Sequence, residues 1–316
     1  MLPLALPFRP PGVPPPVGSA HRYGRRSRIL AVATAGALSL AGCGTAEAGG
    51  TDSHPHPEAG AGERTKAEGA AVELEHVHGL AVDPADGELY AGTHYGLVRV
   101  SAGGQLIRVA DRVQDFMGLT VIGPGRYLAS GHPGTGQPGP ANLGLIESTD
   151  AGRTWTTLSL AGDADFHALD AAQGVIYGYT DGRLLVSKDG REWADQGAMA
   201  IADLAVDPTQ PDRLLVTTEQ GPALSADGGR TFDLEPDSPL LQLVAFSPEG
   251  AAAFGVSPGG EVYASTDGGR TWDQRGNVGS APAALGAVGQ NVYVAVEGAI
   301  VSSTDGGATF ADMYRE

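Results

Sequence analysis

Ser265-Thr-Asp267-Gly-Gly269-Arg-Thr271-Trp272 decides the fold, because the same pattern returns along the chain. It stands again at Ser148-Thr-Asp150-Ala-Gly152-Arg-Thr154-Trp155 and at Ser225-Ala-Asp227-Gly-Gly229-Arg-Thr231-Phe232. A fourth copy is Ser303-Thr-Asp305-Gly-Gly307-Ala-Thr309-Phe310, and a shortened one is Ser187-Lys-Asp189-Gly190-Arg-Glu-Trp193. In chain order the starting serines are 39, 38, 40 and 38 residues apart. A fixed period near forty marks a repeat architecture. One step further upstream, Ser101-Ala-Gly103-Gly104 is a worn sixth copy, and the insertion Pro133–Pro140 lengthens that step. Ser and Asp oxygens at these positions accept turn amides, and glycine supplies positive φ, so each copy is a tight hairpin. The aromatic that closes it packs between neighbouring sheets. Asp150, Asp189, Asp227, Asp267 and Asp305 are therefore structural.

Between these turns the chain alternates as strands do. Innermost strands are expected at His78–Pro84, Met117–Gly123, His167–Gln173, Ala202–Pro208, Leu241–Pro248 and Ala284–Gln290. A second strand follows each, as at Glu88–Thr93, Tyr127–Ser130, Val175–Tyr179 and Val292–Val296. Short strands at regular spacing give an all-β fold, and four strands per forty residues is a propeller blade. Six copies make residues 71–316 a six-bladed β-propeller. Either Val72–Glu75 or Ala311–Tyr314 supplies the outer strand that closes the ring.

Composition agrees. The chain has 316 residues, 48 glycines and 41% hydrophobic side chains, which favours one turn-rich all-β domain. Its formal net charge is −17, yet residues 1–42 carry five Arg and no acid. Without them, 15 basic residues face 37 acidic ones. So acidic a surface repels phosphate backbones and excludes nucleic acid as a partner, while it attracts cations.

The N-terminus is an address. Arg25-Arg-Ser-Arg28 precedes the apolar run Ile29–Leu40 and then Leu40-Ala41-Gly42-Cys43. A basic stretch, a short apolar core and small residues make a secretory signal too short to span a bilayer stably. The ending resembles the lipobox of bacterial lipoproteins, in which the cysteine is lipidated and opens the mature chain. Cys43 is the sole cysteine, so the chain can form no internal disulfide and no cysteine-based zinc site. Residues 1–42 are thus read as a signal peptide, and residues 43–70 as a polar tether carrying His54 and His56. The expected location is the outer face of a bacterial cytoplasmic membrane, held there by lipid.

Propeller topology sorts residues by face. The repeated turns join third and fourth strands on one face, so the starts of inner strands and the ends of second strands lie opposite. All five histidines of the domain fall on that opposite face. His76 and His78 open the first inner strand and His167 opens the third. Met117 opens the second, in matching His78-Gly-Leu, Met117-Gly-Leu and His167-Ala-Leu contexts. His94 and His132 end the second strands of blades one and two, and Asp115 and Asp165 precede their inner strands. A ligand site at the channel mouth of blades one to three is expected, built from His76, His78, His94, Met117, His132 and His167. Its metal-binding subset is His78, Met117 and His167. No cofactor is certain; imidazole with thioether suits copper, and imidazole with carboxylate suits zinc and other divalent ions. Strand-end histidines also serve simply to cap backbone groups.

The whole of residues 71–316 resembles a family of exported bacterial BNR-repeat (Asp-box) lipoproteins identified as glycosylhydrolase or exo-α-sialidase-like. The turns carry the resemblance, with His76-Val-His-Gly-Leu80, Gly131-His-Pro133 and Gly144-Leu-Ile-Glu-Ser-Thr-Asp150. That resemblance implies glycosidic hydrolysis by paired carboxylates, or by a Tyr/Glu nucleophile with an Asp acid in sialidases. Asp115 and Asp165 would be the carboxylates and Tyr95 or Tyr179 the nucleophile. Sialidases also clamp their substrate with three arginines. Here Arg153, Arg230 and Arg270 sit inside the turns on the wrong face, leaving Arg108, Arg112 and Arg126. The first reading is accordingly a non-catalytic binding or assembly propeller for a small ligand, metal ion, glycan or surface protein. A glycoside hydrolase acting on extracellular glycans is the alternative.

Overall fold

In the computed structural model, the described residues are Val72, Leu74, 76–250 and 252–316. The signal-like stretch, Cys43 and the tether lie outside them. Runs rich in Val, Leu, Ile and Ala, bounded by Gly and Asp turns, form strands throughout. Blade one comprises β1 (Val77–Val82), β2 (Leu89–Thr93), β3 (Gly96–Val100) and β4 (Leu106–Arg108). Blade two has β5 (Asp115–Gly123), β6 (Arg126–His132), β7 (Leu145–Ser148) and β8 (Thr156–Ser159). Blade three has β9 (Ala168–Ala172), β10 (Val175–Thr180), β11 (Arg183–Ser187) and β12 (Trp193–Ala198). Blade four has β13 (Asp203–Val206), β14 (Leu214–Thr218), β15 (Gly221–Ser225) and β16 (Asp233–Leu234). Blade five has β17 (Leu243–Phe246), β18 (Ala253–Val256), β19 (Glu261–Ser265) and β20 (Asp273–Asn277). Blade six closes with β21 (Ala284–Val288), β22 (Asn291–Val296), β23 (Ala299–Ser303) and β24 (Ala311–Arg315). Each blade is one antiparallel sheet of four consecutive strands, so the chain is an all-β, six-bladed propeller.

The hydrophobic core is divided among the joints between blades. One buried cluster fills each seam: Tyr177, Leu184, Leu204 and Leu214 between blades three and four, for example. The seam between blades six and one holds Leu89, Val100, Ala284 and Ile300, and Leu74 is packed into it. The residues 311–315 supply blade six's own outer strand as β24, so the ring closes without strand exchange.

The repeated turns show why their residues recur. Ser265 Oγ donates to Asp267 Oδ1 at 2.8 Å and accepts the Gly269 amide at 2.8 Å. Asp267 Oδ1 in turn accepts the Thr271 amide at 3.0 Å, and Oδ2 accepts the Thr271 hydroxyl at 2.7 Å. The other full copies repeat this network, as around Asp150 and Asp305. In blade four the Thr231 amide and hydroxyl hold the Asp227 carboxyl at about 2. The second glycine of the turn does more than adopt positive φ. A Cβ on Gly229 would come within 2.6 Å of Leu184 Cδ2 in the preceding blade, so a side chain there would displace that leucine as well as strain the backbone at φ 82°. Trp155, Trp193 and Trp272 each pack into the seam with the preceding blade, partly rather than fully buried.

A second clasp was not legible as such. The repeated Ala-Val-Asp-Pro reads as a strand-to-turn signal, but Asp83 is fully buried and reaches across a seam. Its carboxylate accepts the Tyr127 hydroxyl at 2.7 Å and the Gly125 amide at 3.0 Å, both from blade two.

Candidate functional site

The six inner strands surround a central cavity of about 730 Å³. At one end, six backbone-equivalent positions form its rim: His78, Met117, His167, Ala202, Gln242 and Ala283. The equivalence is seen in the amides of His167, Ala202, Gln242 and Ala283, each bonded to the carbonyl of a residue on its blade's second strand. His78 and Met117 both occupy irregularities in the pairing of β1 with β2 and of β5 with β6. Blades five and six present Gln242 and Ala283 here, one residue from Leu241 and Ala284, which the sequence spacing had suggested.

Glycine after the rim residue sets how closely blades approach. A Cβ on Gly79 would lie 3.0 Å from Leu119 Cβ, and one on Gly118 only 2.7 Å from the Phe166 carbonyl oxygen. These approaches bring the end of one blade's second strand over the start of the next blade's inner strand. His94 sits in a tight Thr93–Gly96 turn, where Thr93 Oγ1 donates to the Gly96 carbonyl at 2.9 Å and accepts the Tyr95 amide at 3.0 Å. Thr218–Gly221 repeats that turn in blade four with Glu219 and Gln220 at its tip. Thus the turn is generic and its tip residues are particular.

Across the first seam, His94 Nδ1 lies 2.9 Å from Asp115 Oδ2. The His78 ring meets the His94 ring edge-on with centroids 4.7 Å apart, and His76 does so at 5.0 Å. His76 reaches this place through a left-handed backbone, φ 43°, a conformation that costs non-glycine residues. One donor atom each from His78, His94 and Asp115 falls within 4.8 Å of the others. The second seam repeats the pattern: His132 Nε2 lies 3.2 Å from Asp165 Oδ2, with His167 Nε2 at 3.5 Å from the same oxygen.

Buried polar atoms without partners concentrate here. Among the described residues they include His78 Nε2, Asp115 Oδ1, Asp165 Oδ1 and both amide atoms of Gln114. Each such atom costs about 1–3 kcal/mol unless a ligand or water meets it. Burial lowers the His78 pKa, and His94, His76 and His167 push it the same way, against Asp115 alone. His78 therefore presents a neutral imidazole at neutral pH, the form that ligates metals.

The structure separates the sequence-selected residues into groups. His94 and Asp115 stand beside His78, and Met117 occupies the equivalent rim position of the next blade. His167 belongs with Asp165 and His132. Asp115, selected only as a weak catalytic carboxylate, is the nearest acid to the His78 pair. Gln114 carried no signal, being a lone amide in an irregular stretch.

The glycosidase candidates have other engagements. The Tyr179 hydroxyl donates to the Met199 carbonyl at 2.8 Å and accepts the Ile201 amide, tying down the approach to blade four. Tyr95 is exposed, and its carbonyl accepts from Arg108. Arg126 starts β6 and pairs with Glu147 at 2.7 Å, at the end of the blade that carries the repeated turns. Arg153, Arg230 and Arg270 donate to carbonyls of their own turns.

No family model matches the chain, and no curated protein matches it in sequence. Among solved structures, a chain of the Nidogen/Laminin complex is similar with a TM-score of 0.56 at 13% identity, over 72% of this chain and 93% of that one. The WD40 propeller domain of Doa1 gives 0.51 at 11% identity, over 76% and 82%. YCF48 bound to D1 peptide gives 0.46 at 17%, also over 76% and 82%. At such identities the first two likenesses show the propeller fold alone.

Proposed function

We propose that this protein is an exported, lipid-anchored propeller that binds a divalent transition-metal ion at the channel mouth through His78, His94 and Asp115. The observation that carries it is the buried, partnerless Nε2 of His78, gathered with a second imidazole and a carboxylate within ligand reach. Two imidazoles and a carboxylate are a donor set that suits zinc and similar ions, with room left for a further ligand. The His94–Asp115 contact at 2.9 Å brings the imidazole and the carboxylate side by side, as neighbouring ligands of one ion would stand.

The acidic chain supports cation capture, because its net charge concentrates cations near the surface. The anchor rests on Leu40-Ala-Gly-Cys43, and it would hold the mouth outside the membrane. A binding role is favoured over glycoside hydrolysis, since both candidate carboxylates face imidazoles.

Isothermal titration of the full chain with zinc chloride tests the site. The parent is expected to bind with at least micromolar affinity, and His78→Ala to weaken this by tenfold or more. Parent-like binding by His78→Ala, with its fold intact by circular dichroism, would remove the site from this place.

A further inference from the structure

We infer that His76 is the positioning residue of the ion site at the mouth: its ring holds His94 in place for the ion without being a ligand. This rests on the reading of His78, His94 and Asp115 as that site, and it gives a role to a residue outside the set.

The repeat would give His76 a different neighbour from the one it has. His76 stands two residues before the rim residue His78, as Asp115 does before Met117 and Asp165 before His167. A buried side chain lies between the two in each blade: Val77, Phe116 and Phe166. In blades two and three this position reaches back across the seam to the second-strand end of the preceding blade. Asp115 meets His94 at 2.9 Å, and Asp165 meets His132 at 3.2 Å. The same rule would send His76 to blade six. Its ring meets His94 of its own blade instead.

The backbone accounts for the change of direction. His76 has φ 43°, in the left-handed region, whereas neither Asp115 nor Asp165 has a positive φ. A non-glycine residue stays in that region only where its surroundings hold it, and strain of this kind gathers at functional sites. Here Leu74 is buried in the seam on one side of His76, and Val77 is buried on the other.

His94 gains from such a neighbour. It sits at the tip of a turn shaped by Thr93 and Gly96, and 36% of its side chain is exposed. Asp115 touches the ring at Nδ1 alone. His76 and His78 meet it edge-on, with interplanar angles of 86° and 85°. Perpendicular contacts restrain the plane of a ring, which a contact at one nitrogen leaves free to tilt. Ligands already oriented lose less freedom when the ion arrives, so the site binds more tightly. The donor atoms gathered within reach of one ion belong to His78, His94 and Asp115, so His76 acts through His94.

Isothermal titration of the full chain with zinc chloride, comparing the parent with His76→Gly and His76→Phe, tests this role. Glycine adopts a left-handed φ without cost and deletes the ring. Phenylalanine keeps an aromatic edge against His94 and offers no ligand atom. His76→Gly is expected to bind zinc about three- to tenfold more weakly, the range that an aromatic edge contact is worth, with its circular dichroism unchanged. His76→Phe is expected to bind as the parent does. Equal weakening in both variants would make His76 a ligand, and parent-like affinity in His76→Gly would leave its ring without a role. Either result overturns the inference and leaves the site standing. In the metal-free chain, nuclear Overhauser contacts between the rings of His94 and His78 should persist in His76→Phe and fade in His76→Gly. Their persistence in His76→Gly overturns the inference whatever the zinc titration gives. A parent that binds no zinc defeats the site and this role with it.

Discussion

At the scale of single residues, two kinds of acid behave oppositely. Turn acids such as Asp227 are held low because amides and hydroxyls greet the ionised form. Asp203, in the channel wall, is pushed up to about 7 by burial, although it accepts the Val244 amide at 2.9 Å, and Asp170 nearby adds to the rise. Because its folded value lies above the ordinary carboxyl value of about 3.9, the folded form holds a proton that the unfolded chain has released. Asp203 therefore makes the protein most stable below about pH 4 and progressively less so toward pH 7. Asp203→Asn keeps an oxygen for Val244 and removes the titration. Its urea midpoint should improve relative to the parent between pH 4 and pH 8, and identical pH slopes for the two proteins would contradict this account.

At the scale of the element, the repeated turn is a unit joined by its serine and its aspartate together. Ser265→Ala leaves the buried Gly269 amide without its acceptor and frees one side of Asp267. A loss of about 1–3 kcal/mol is expected in urea unfolding. Zinc binding should be unchanged, because the turn lies at the far end of its blade from the mouth; a stability change below about 0.5 kcal/mol would count against the network. These turns were legible in the sequence because each hydrogen bond demands one particular residue at one spacing. The inner strands were legible too, within a residue or two, through alternation and the Pro or Gly that follows. The mouth was legible only as a set of positions. That His94 meets Asp115 depends on one blade's second strand leaning over the next blade's first, a distance set by Gly79 and Leu119 across a seam. No local pattern encodes an encounter between different repeats, so the contacts of His94 with Asp115 and of His132 with Asp165 could not be read from spacing.

At the scale of the whole molecule, function and scaffold occupy opposite ends of the ring. Near-identical turns crowd one end, and blades one to three alone carry imidazoles at the other. The proposed lipid anchor would bear on how this body is presented. Replacing Cys43 by Ser in the producing cell should move the protein from the membrane fraction to the soluble one, read by detergent phase partition; unchanged partition would remove the anchor. The seams bear on something else. Since, among the described residues, every sheet is made of four consecutive strands and each joint has its own packed cluster, no described strand crosses between blades to hold the circle shut. The joint between blades six and one is then an ordinary joint. A chain rewired to start at any other would cut no sheet, so this architecture carries no privileged beginning, and its order along the gene is one of six interchangeable ways to write the same ring.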